Sequence, residues 1–169
     1  MIIKDNMFKE NLLNRIDAEL HYAPLNIKWV HHSTNKNADT GRVAYELTNN
    51  YFFYEEMKPI LQQELNFEFY IQRVYLNVMS YGSEGSYHYD SLEPNAYTIL
   101  YFSGGPPDSE TADEYGGYFY YKENKEIKCI EPIHNRMIVF NSDIIHKASS
   151  FNRMIKSPRF SITWKIYKK

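Results

Sequence analysis

At Phe67 the spacing of apolar and polar residues changes from a helical period to an extended one. Upstream, Phe8, Leu12, Ile16 and Leu20 fall four residues apart within Met7–Leu20, one stripe of an amphipathic helix. Asp5 or Asn6 is placed to cap it. A second helical region is expected from about Arg42 to Leu65, interrupted near Pro59, whose ring removes a backbone donor. Between the two, a short apolar stretch around Trp29 leads into the polar run HHSTNKNADTG, His31–Gly41, which reads as an exposed loop. Ser103–Tyr115 is equally aperiodic and is predicted to be a second mobile surface segment.

Beyond Phe67 the alternation is strict. Phe67, Phe69, Ile71, Arg73, Tyr75, Asn77, Met79 and Tyr81 fall on one face of an extended strand. The intervening residues, Glu68 to Ser80, fall on the other. Short strands are predicted at Ala96–Phe102, Gly117–Tyr121, Ile127–Glu131, Arg136–Asn141 and Arg159–Tyr167, separated by turn-rich segments. Helices first and many short strands afterwards indicate an α+β chain whose second half is a β-sandwich or jelly roll. Residues 1–66 would be mainly helical support and 67–169 the sheet core of a single domain.

Composition narrows the classes of function. At 169 residues the chain suits one domain with a real core. An aromatic share of 17%, with 16 Tyr, favours half-buried strands. A formal charge of −2 gives no global field for nucleic acid or an anionic membrane. The single Cys129 excludes an internal disulfide and a cysteine-rich zinc site. No HExxH segment points to a zinc hydrolase. The first residues contain no long apolar run, so an intracellular, cytoplasmic protein without a membrane span is expected.

Three positions carry candidate chemistry. His88 and Asp90 are two apart, so on a strand an imidazole and a carboxylate share one face and can reach one metal ion. His146 follows the strand-like run Arg136–Asn141. Two His and one carboxylate on one face of a metal form the facial triad of non-haem iron(II) oxygenases, with positions left open. In the last strand, PRFSITWKIY, Phe160, Ile162, Trp164 and Ile166 form the apolar side. Arg159, Ser161, Thr163 and Lys165 point the other way. A guanidinium followed by hydroxyls is suited to gripping a carboxylate.

Taken in order, YGSEGSYHYDS, YTILYFS, EYGGYFYY, RMIVFNSDIIHKA and PRFSITW resemble the motifs of the prolyl 4-hydroxylase-like Fe(II)/2-oxoglutarate-dependent oxygenases. The resemblance spans roughly Arg73 to Trp164. It implies a double-stranded β-helix (jelly roll) with the N-terminal helices packed on the larger sheet. It further implies that His88, Asp90 and His146 hold iron and are the catalytic residues. Arg159 would bind the distal carboxylate of 2-oxoglutarate, with Tyr101, Ser161 and Tyr81 assisting. Gly116 and Gly117 would allow close approach at the barrel mouth. One departure is Trp164, which strand parity turns away from the site, with Lys165 taking the inward direction.

The implied activity is that of a dioxygenase using Fe(II), 2-oxoglutarate and O2, with ascorbate as an accessory reductant. It would hydroxylate a C–H bond, first of all of a prolyl or other residue in a peptide or protein, and release succinate and CO2. Asp90 favours hydroxylation, since halogenating relatives lack this carboxylate. The competing enzyme is an AlkB-type nucleic-acid demethylase, but the second arginine of that type, six residues after the first, is here Lys165. A catalytically silent cupin-like binding module is the alternative outside enzymology. The acidic run Asp108–Glu114 would favour a basic peptide over a polyanion.

Overall fold

A computed structural model of the chain describes residues 1–22, 27–29 and 42–169, the side chains of 27–29 and of Arg42 excepted. The expected loop His31–Gly41 lies outside the described residues. Ten strands occur among them: β1 (Ile2–Lys4), β2 (Ile27–Trp29), β3 (Arg42–Glu46), β4 (Phe69–Met79), β5 (Ala96–Tyr101), β6 (Phe119–Glu123), β7 (Glu126–Ile130), β8 (Met137–Asn141), β9 (His146–Ala148) and β10 (Arg159–Lys168). The helices are α1 (Glu10–Tyr22), a π turn (Phe52–Glu56) running directly into α2 (Met57–Leu65), and α3 (Ser109–Tyr115). The result is a mixed α and antiparallel β fold in two sheets.

The larger sheet has the order β1-β8-β5-β10-β4-β3-β2 and the smaller the order β7-β6-β9. Every pairing is antiparallel. Isolated bridges Glu84↔Ser149 and His88↔His146 lay the segment 84–88 along the free side of β9, extending the smaller sheet. One apolar core lies between the helices and the outer face of the larger sheet, where Phe53, Met57, Leu61, Val74, Ile99, Ile162 and Trp164 are fully enclosed. A second, smaller core lies between the sheets, built on Leu100, Phe102, Phe119, Ile138 and Phe140. The end of the intersheet space nearest His88 is lined by polar as well as apolar groups.

Several expectations change on contact with the structure. Arg42–Glu46 is a strand, because it pairs with β4 from Arg42↔Met79 to Glu46↔Tyr75. The helix starts later, after Asn50, whose Oδ1 accepts the N–H of Phe53 at 3.1 Å as a helix-starting Asn does. Residues 1–66 therefore supply three strands as well as helices. Asp5 does not cap α1; its carboxylate pairs with the guanidinium of Arg136. Ser103–Tyr115 is not wholly aperiodic either: Asp108 accepts the N–H of Thr111 at 3.1 Å and opens α3.

Strand β4 does not keep one parity. Lys165 lies opposite Arg73 but Ile166 lies opposite Ile71, so Gln72 is an extra residue, a β-bulge. Below the bulge Phe69 and Ile71 turn into the helical core with Val74 and Leu76. Above it Tyr75, Asn77 and Met79 face the intersheet cavity. The strand ends at Met79, and Tyr81 sits in the following turn with 67% of its surface exposed.

Candidate metal centre

His88 and His146 face each other across an antiparallel bridge. Each donates its N–H to the other's carbonyl, at 3.0 and 2.9 Å. Residues paired in this way place their side chains on one side of the sheet, and the two imidazole centroids are 4.5 Å apart. Asp90, two residues from His88, projects from the same side, its N–H held by the carbonyl of Ser142 at 2.8 Å. One ligating atom from each of the three residues lies within 4.8 Å of the other two. Nε2 of His88 is 3.6 Å from Oδ1 of Asp90, and Nε2 of His146 is 3.6 Å from Oδ2.

The other ring nitrogens fix the tautomers. Nδ1 of His88 lies 2.8 Å from the Ser86 carbonyl and Nδ1 of His146 lies 2.8 Å from the Ile144 carbonyl. A carbonyl only accepts, so each Nδ1 carries hydrogen, and in a neutral ring that leaves Nε2 as the nitrogen able to bind a metal. Burial pushes the His146 imidazole down to about 4, outweighing the attraction of Asp90, so it is neutral at pH 7. The ring is wedged between Phe119 and Phe140. Burial would raise the Asp90 carboxyl, but the Lys165 ammonium beside it holds it well below the usual carboxylate range. Two imidazoles, each with its Nε2 turned to the carboxylate of Asp90, converging on one point are a donor set for a divalent transition metal.

The cavity that contains this triad also contains Arg159, Ser161, Asn77 and Tyr75. Together with the solvent space at its mouth it spans about 410 Å³. Arg159 is 1% exposed, its guanidinium 4.9 Å from the centre of the Phe102 ring. Ser161 Oγ and Asn77 Oδ1 are buried without a hydrogen-bond partner among the described residues. Buried polar atoms of this kind are normally satisfied, and a polar ligand entering the cavity would meet them. Gly117 packs behind Arg159 with φ +77; a Cβ there would stand 2.5 Å from the Phe151 ring and 3.3 Å from Cδ of Arg159.

Of the predicted site residues, His88, Asp90, His146, Arg159 and Ser161 line this one cavity. Tyr101 and Tyr81 do not. Tyr101 lies opposite Ile162 on the outer face of the larger sheet, packs on Phe8 at 5.0 Å and donates to Asn135 at 3.3 Å. Burial raises its phenol accordingly. Leu100 and Thr98 take the inward positions of β5 instead. Tyr81 belongs to an exposed turn. Trp164 faces outward as parity requires, with its N–H on the Phe53 carbonyl. Sequence reasoning missed Thr98, Ser142 and Tyr75; a lone Thr at an inward position of the apolar strand YTILY was the available signal for the first.

No family model and no curated relative matches the sequence. Solved structures do match. One is a 2OG-Fe(II) oxygenase family oxidoreductase from Burkholderia pseudomallei, at TM-score 0.69 and 16% identity, covering 98% of this chain and 83% of that one. The fold is that of the 2OG-Fe(II) oxygenases. A prolyl hydroxylase from Trichoplax adhaerens, in complex with a hypoxia inducible factor peptide fragment, matches at TM-score 0.70 and 15% identity, covering 98% and 82%. HygX from Streptomyces hygroscopicus, with nickel and 2-oxoglutarate bound, matches at TM-score 0.71 and 8% identity, with the same coverage of 98% and 82%. At these identities the likeness is one of architecture, and the oxygenase fold accommodates both sheets and the helical layer of this chain.

Proposed function

We propose that the chain is an Fe(II)- and 2-oxoglutarate-dependent dioxygenase of the prolyl 4-hydroxylase-like type, built on a jelly roll with helices on its larger sheet. The observation that carries this is the convergence of both Nε2 atoms and the Asp90 carboxylate in a cavity that also holds a buried arginine. The chemistry of the donor set fits the metal, and the unpartnered Ser161 Oγ and Asn77 Oδ1 fit a polar cosubstrate. Fe(II) with 2-oxoglutarate and O2 would supply oxidative decarboxylation to succinate and CO2, coupled to hydroxylation of a substrate C–H bond.

Each residue has a defined task in this reading. His88, Asp90 and His146 hold the metal on one side and leave its other positions open. The carbonyls of Ser86 and Ile144 keep the two rings in the ligating tautomer. Arg159 grips the distal carboxylate of 2-oxoglutarate through its planar fork, and Ser161 adds a hydroxyl. Phe119, Phe140 and Leu100 keep water from the inner wall of the cavity.

The substrate is proposed to be a prolyl or other side chain of a peptide or protein, hydroxylated at carbon. The Trichoplax neighbour, solved with a peptide, supports that choice. HygX has also been solved with hygromycin B, so the shared architecture also accepts a small molecule. The test is substrate-stimulated succinate release with Fe(II), screened over proline-containing basic peptides, small amino acids and methylated oligonucleotides, with mass spectrometry of the products. A hydroxylated peptide supports the proposal. Demethylated oligonucleotide with untouched peptide would overturn it in favour of an AlkB-type enzyme, and absence of any 2-oxoglutarate binding in favour of a cupin-like binding module.

A further inference from the structure

We propose that Lys165 is a positioning residue which, with Thr98, fixes Asp90 as a one-oxygen ligand of the metal. The proposal rests on the metal assignment above and concerns how the carboxylate is presented. Lys165 stands on β10 six residues beyond Arg159, and the ladder sets it opposite Thr98 of β5 and Arg73 of β4. From there its ammonium reaches Oδ2 of Asp90 in a direct ion pair and donates to Oγ1 of Thr98 at 3.2 Å. Thr98 in turn donates to the same Oδ2 at 2.7 Å, and its Oγ1 lies 3.0 Å from Ser142 Oγ.

The two carboxylate oxygens are thereby made unlike. Oδ2 receives an ammonium and a hydroxyl, whereas Oδ1 has no hydrogen-bond donor among the described residues and faces Nε2 of His88 at 3.6 Å. Nε2 of His146 is 3.6 Å from Oδ2, so distance alone does not choose between the oxygens. Hydrogen bonding does. An oxygen that already accepts two strong donors has little lone-pair density left for a cation, and its partner becomes the ligand. Side-chain exposures of 14% for Lys165 and 8% for Asp90 mean that water does little to loosen the arrangement.

The consequence is on coordination number. A carboxylate free to chelate through both oxygens takes a position that 2-oxoglutarate and O2 require, so tying Oδ2 back keeps that position open. Lys165 cannot be explained as a device for gripping metal, because a fixed positive charge this close opposes a divalent cation. A positioning role and a merely structural one therefore predict opposite behaviour on removal of the amine.

The experiment uses the full chain in four forms: native, Lys165→Met, Lys165→Arg and Thr98→Val. Mn(II) affinity is measured by calorimetry, 2-oxoglutarate affinity on the Mn(II)-bound protein, and coordination number from the visible spectrum with Co(II). Expected for Lys165→Met is Mn(II) binding at least as tight as native, 2-oxoglutarate binding weaker by on the order of 10-fold, and an altered Co(II) spectrum. Lys165→Arg should restore the native spectrum and affinity, and Thr98→Val should shift both in the same direction as Lys165→Met by less. Should Lys165→Met fail to fold, Thr98→Val and Lys165→Arg still decide the matter through the Co(II) spectrum. A native Co(II) spectrum with native 2-oxoglutarate affinity in Lys165→Met or Thr98→Val overturns the proposal. So does a loss of Mn(II) affinity in both Lys165 variants. If the native protein binds no Mn(II), the metal assignment itself has failed, an outcome distinct from these.

Discussion

The indole N–H of Trp164 donates to the backbone carbonyl of Phe53 at 2.9 Å, tying the outer face of β10 to the π turn that opens the second helix. The neighbouring Lys165 faces the opposite way, onto Asp90. One strand thus presents adjacent residues to the structural core and to the candidate site, and the two can be perturbed separately.

Trp164→Phe keeps an aromatic ring in the core but leaves the Phe53 carbonyl without this donor and a void where the larger ring was. Destabilisation by about 1–3 kcal/mol is expected from the lost buried hydrogen bond and the void together. Mn(II) affinity of the folded variant should be native, because Trp164 lies on the far side of the sheet from the triad. Urea unfolding and calorimetry on the same sample check both halves. A large fall in metal affinity would show that the two faces of β10 are coupled.

For the triad, His88→Ala and His146→Ala should each abolish metal-dependent 2-oxoglutarate turnover and weaken Mn(II) binding by at least about 10-fold. Circular dichroism should remain native, since the backbone exchange between residues 88 and 146 does not depend on the rings. Native turnover in either variant sinks the assignment.

Arg159→Ala separates cosubstrate from metal. Mn(II) should still bind, while 2-oxoglutarate affinity on the Mn(II)-bound protein falls by roughly 2–5 kcal/mol, the range for truncating one member of a buried charge pair. An unchanged dissociation constant would falsify the role given to the guanidinium.

Much of this site was legible in the chain itself, and the reasons are geometric. A His-x-Asp pair on extended backbone must share a face, whatever the rest of the fold does. The last strand alternates so regularly that Arg159, Ser161, Thr163 and Lys165 separate cleanly from Trp164, and the ladder preserves that parity through Lys165. Tyr101 misled because the motif YTILYFS gives Tyr97, Ile99 and Tyr101 one face and Thr98, Leu100 and Phe102 the other, and both faces of this central strand are buried. Periodicity cannot tell two buried faces apart.

The β4 strand failed in a different way. A bulge at Gln72 leaves no mark in a run of alternating residues, yet it sends Phe69 and Ile71 to the helical side. The short edge strand β1 was invisible because three residues give too little pattern, and it is fixed by pairing with β8 and by the Lys4–Glu64 ion pair. Arg42–Glu46 read as helix because β-propensity depends on the partner, here β4, more than on the segment.

Gly117 has a role that only its missing side chain explains. At φ +77 an added methyl is strained whatever the space, and here it would press on the Phe151 ring and on Cδ of Arg159. Gly117→Ala should cost about 1–3 kcal/mol in stability. Because Arg159 is one of the two contacts, 2-oxoglutarate affinity should fall with it. Comparison with Gly116→Ala, whose Cβ finds nothing nearer than 3.7 Å, isolates the contact from the strain. Equal loss of cosubstrate affinity in both variants would remove Gly117 from the account of the site.

A pH-dependent contribution is expected away from the site, at the N-terminal strand. The Arg136 guanidinium hydrogen-bonds Asp5 and, although burial opposes it, holds that carboxyl below its usual 3.8. A carboxyl lowered in the folded state binds protons more readily when unfolded. Its stabilisation is therefore complete above 3.8 and is lost as the pH falls through the lower folded-state value. The Asp5 side chain is 50% exposed and Arg136 keeps a second partner in Glu131 at 3.0 Å, so screening limits the effect. Asp5→Asn should lower stability by no more than about 1 kcal/mol at pH 7. The difference between variant and native should shrink toward zero in acid. Urea unfolding of both proteins at neutral pH and again below the ordinary carboxylate range provides the check. A difference that persists undiminished in acid would mean that Asp5 acts through the packing of β1 against β8, with no contribution from its charge.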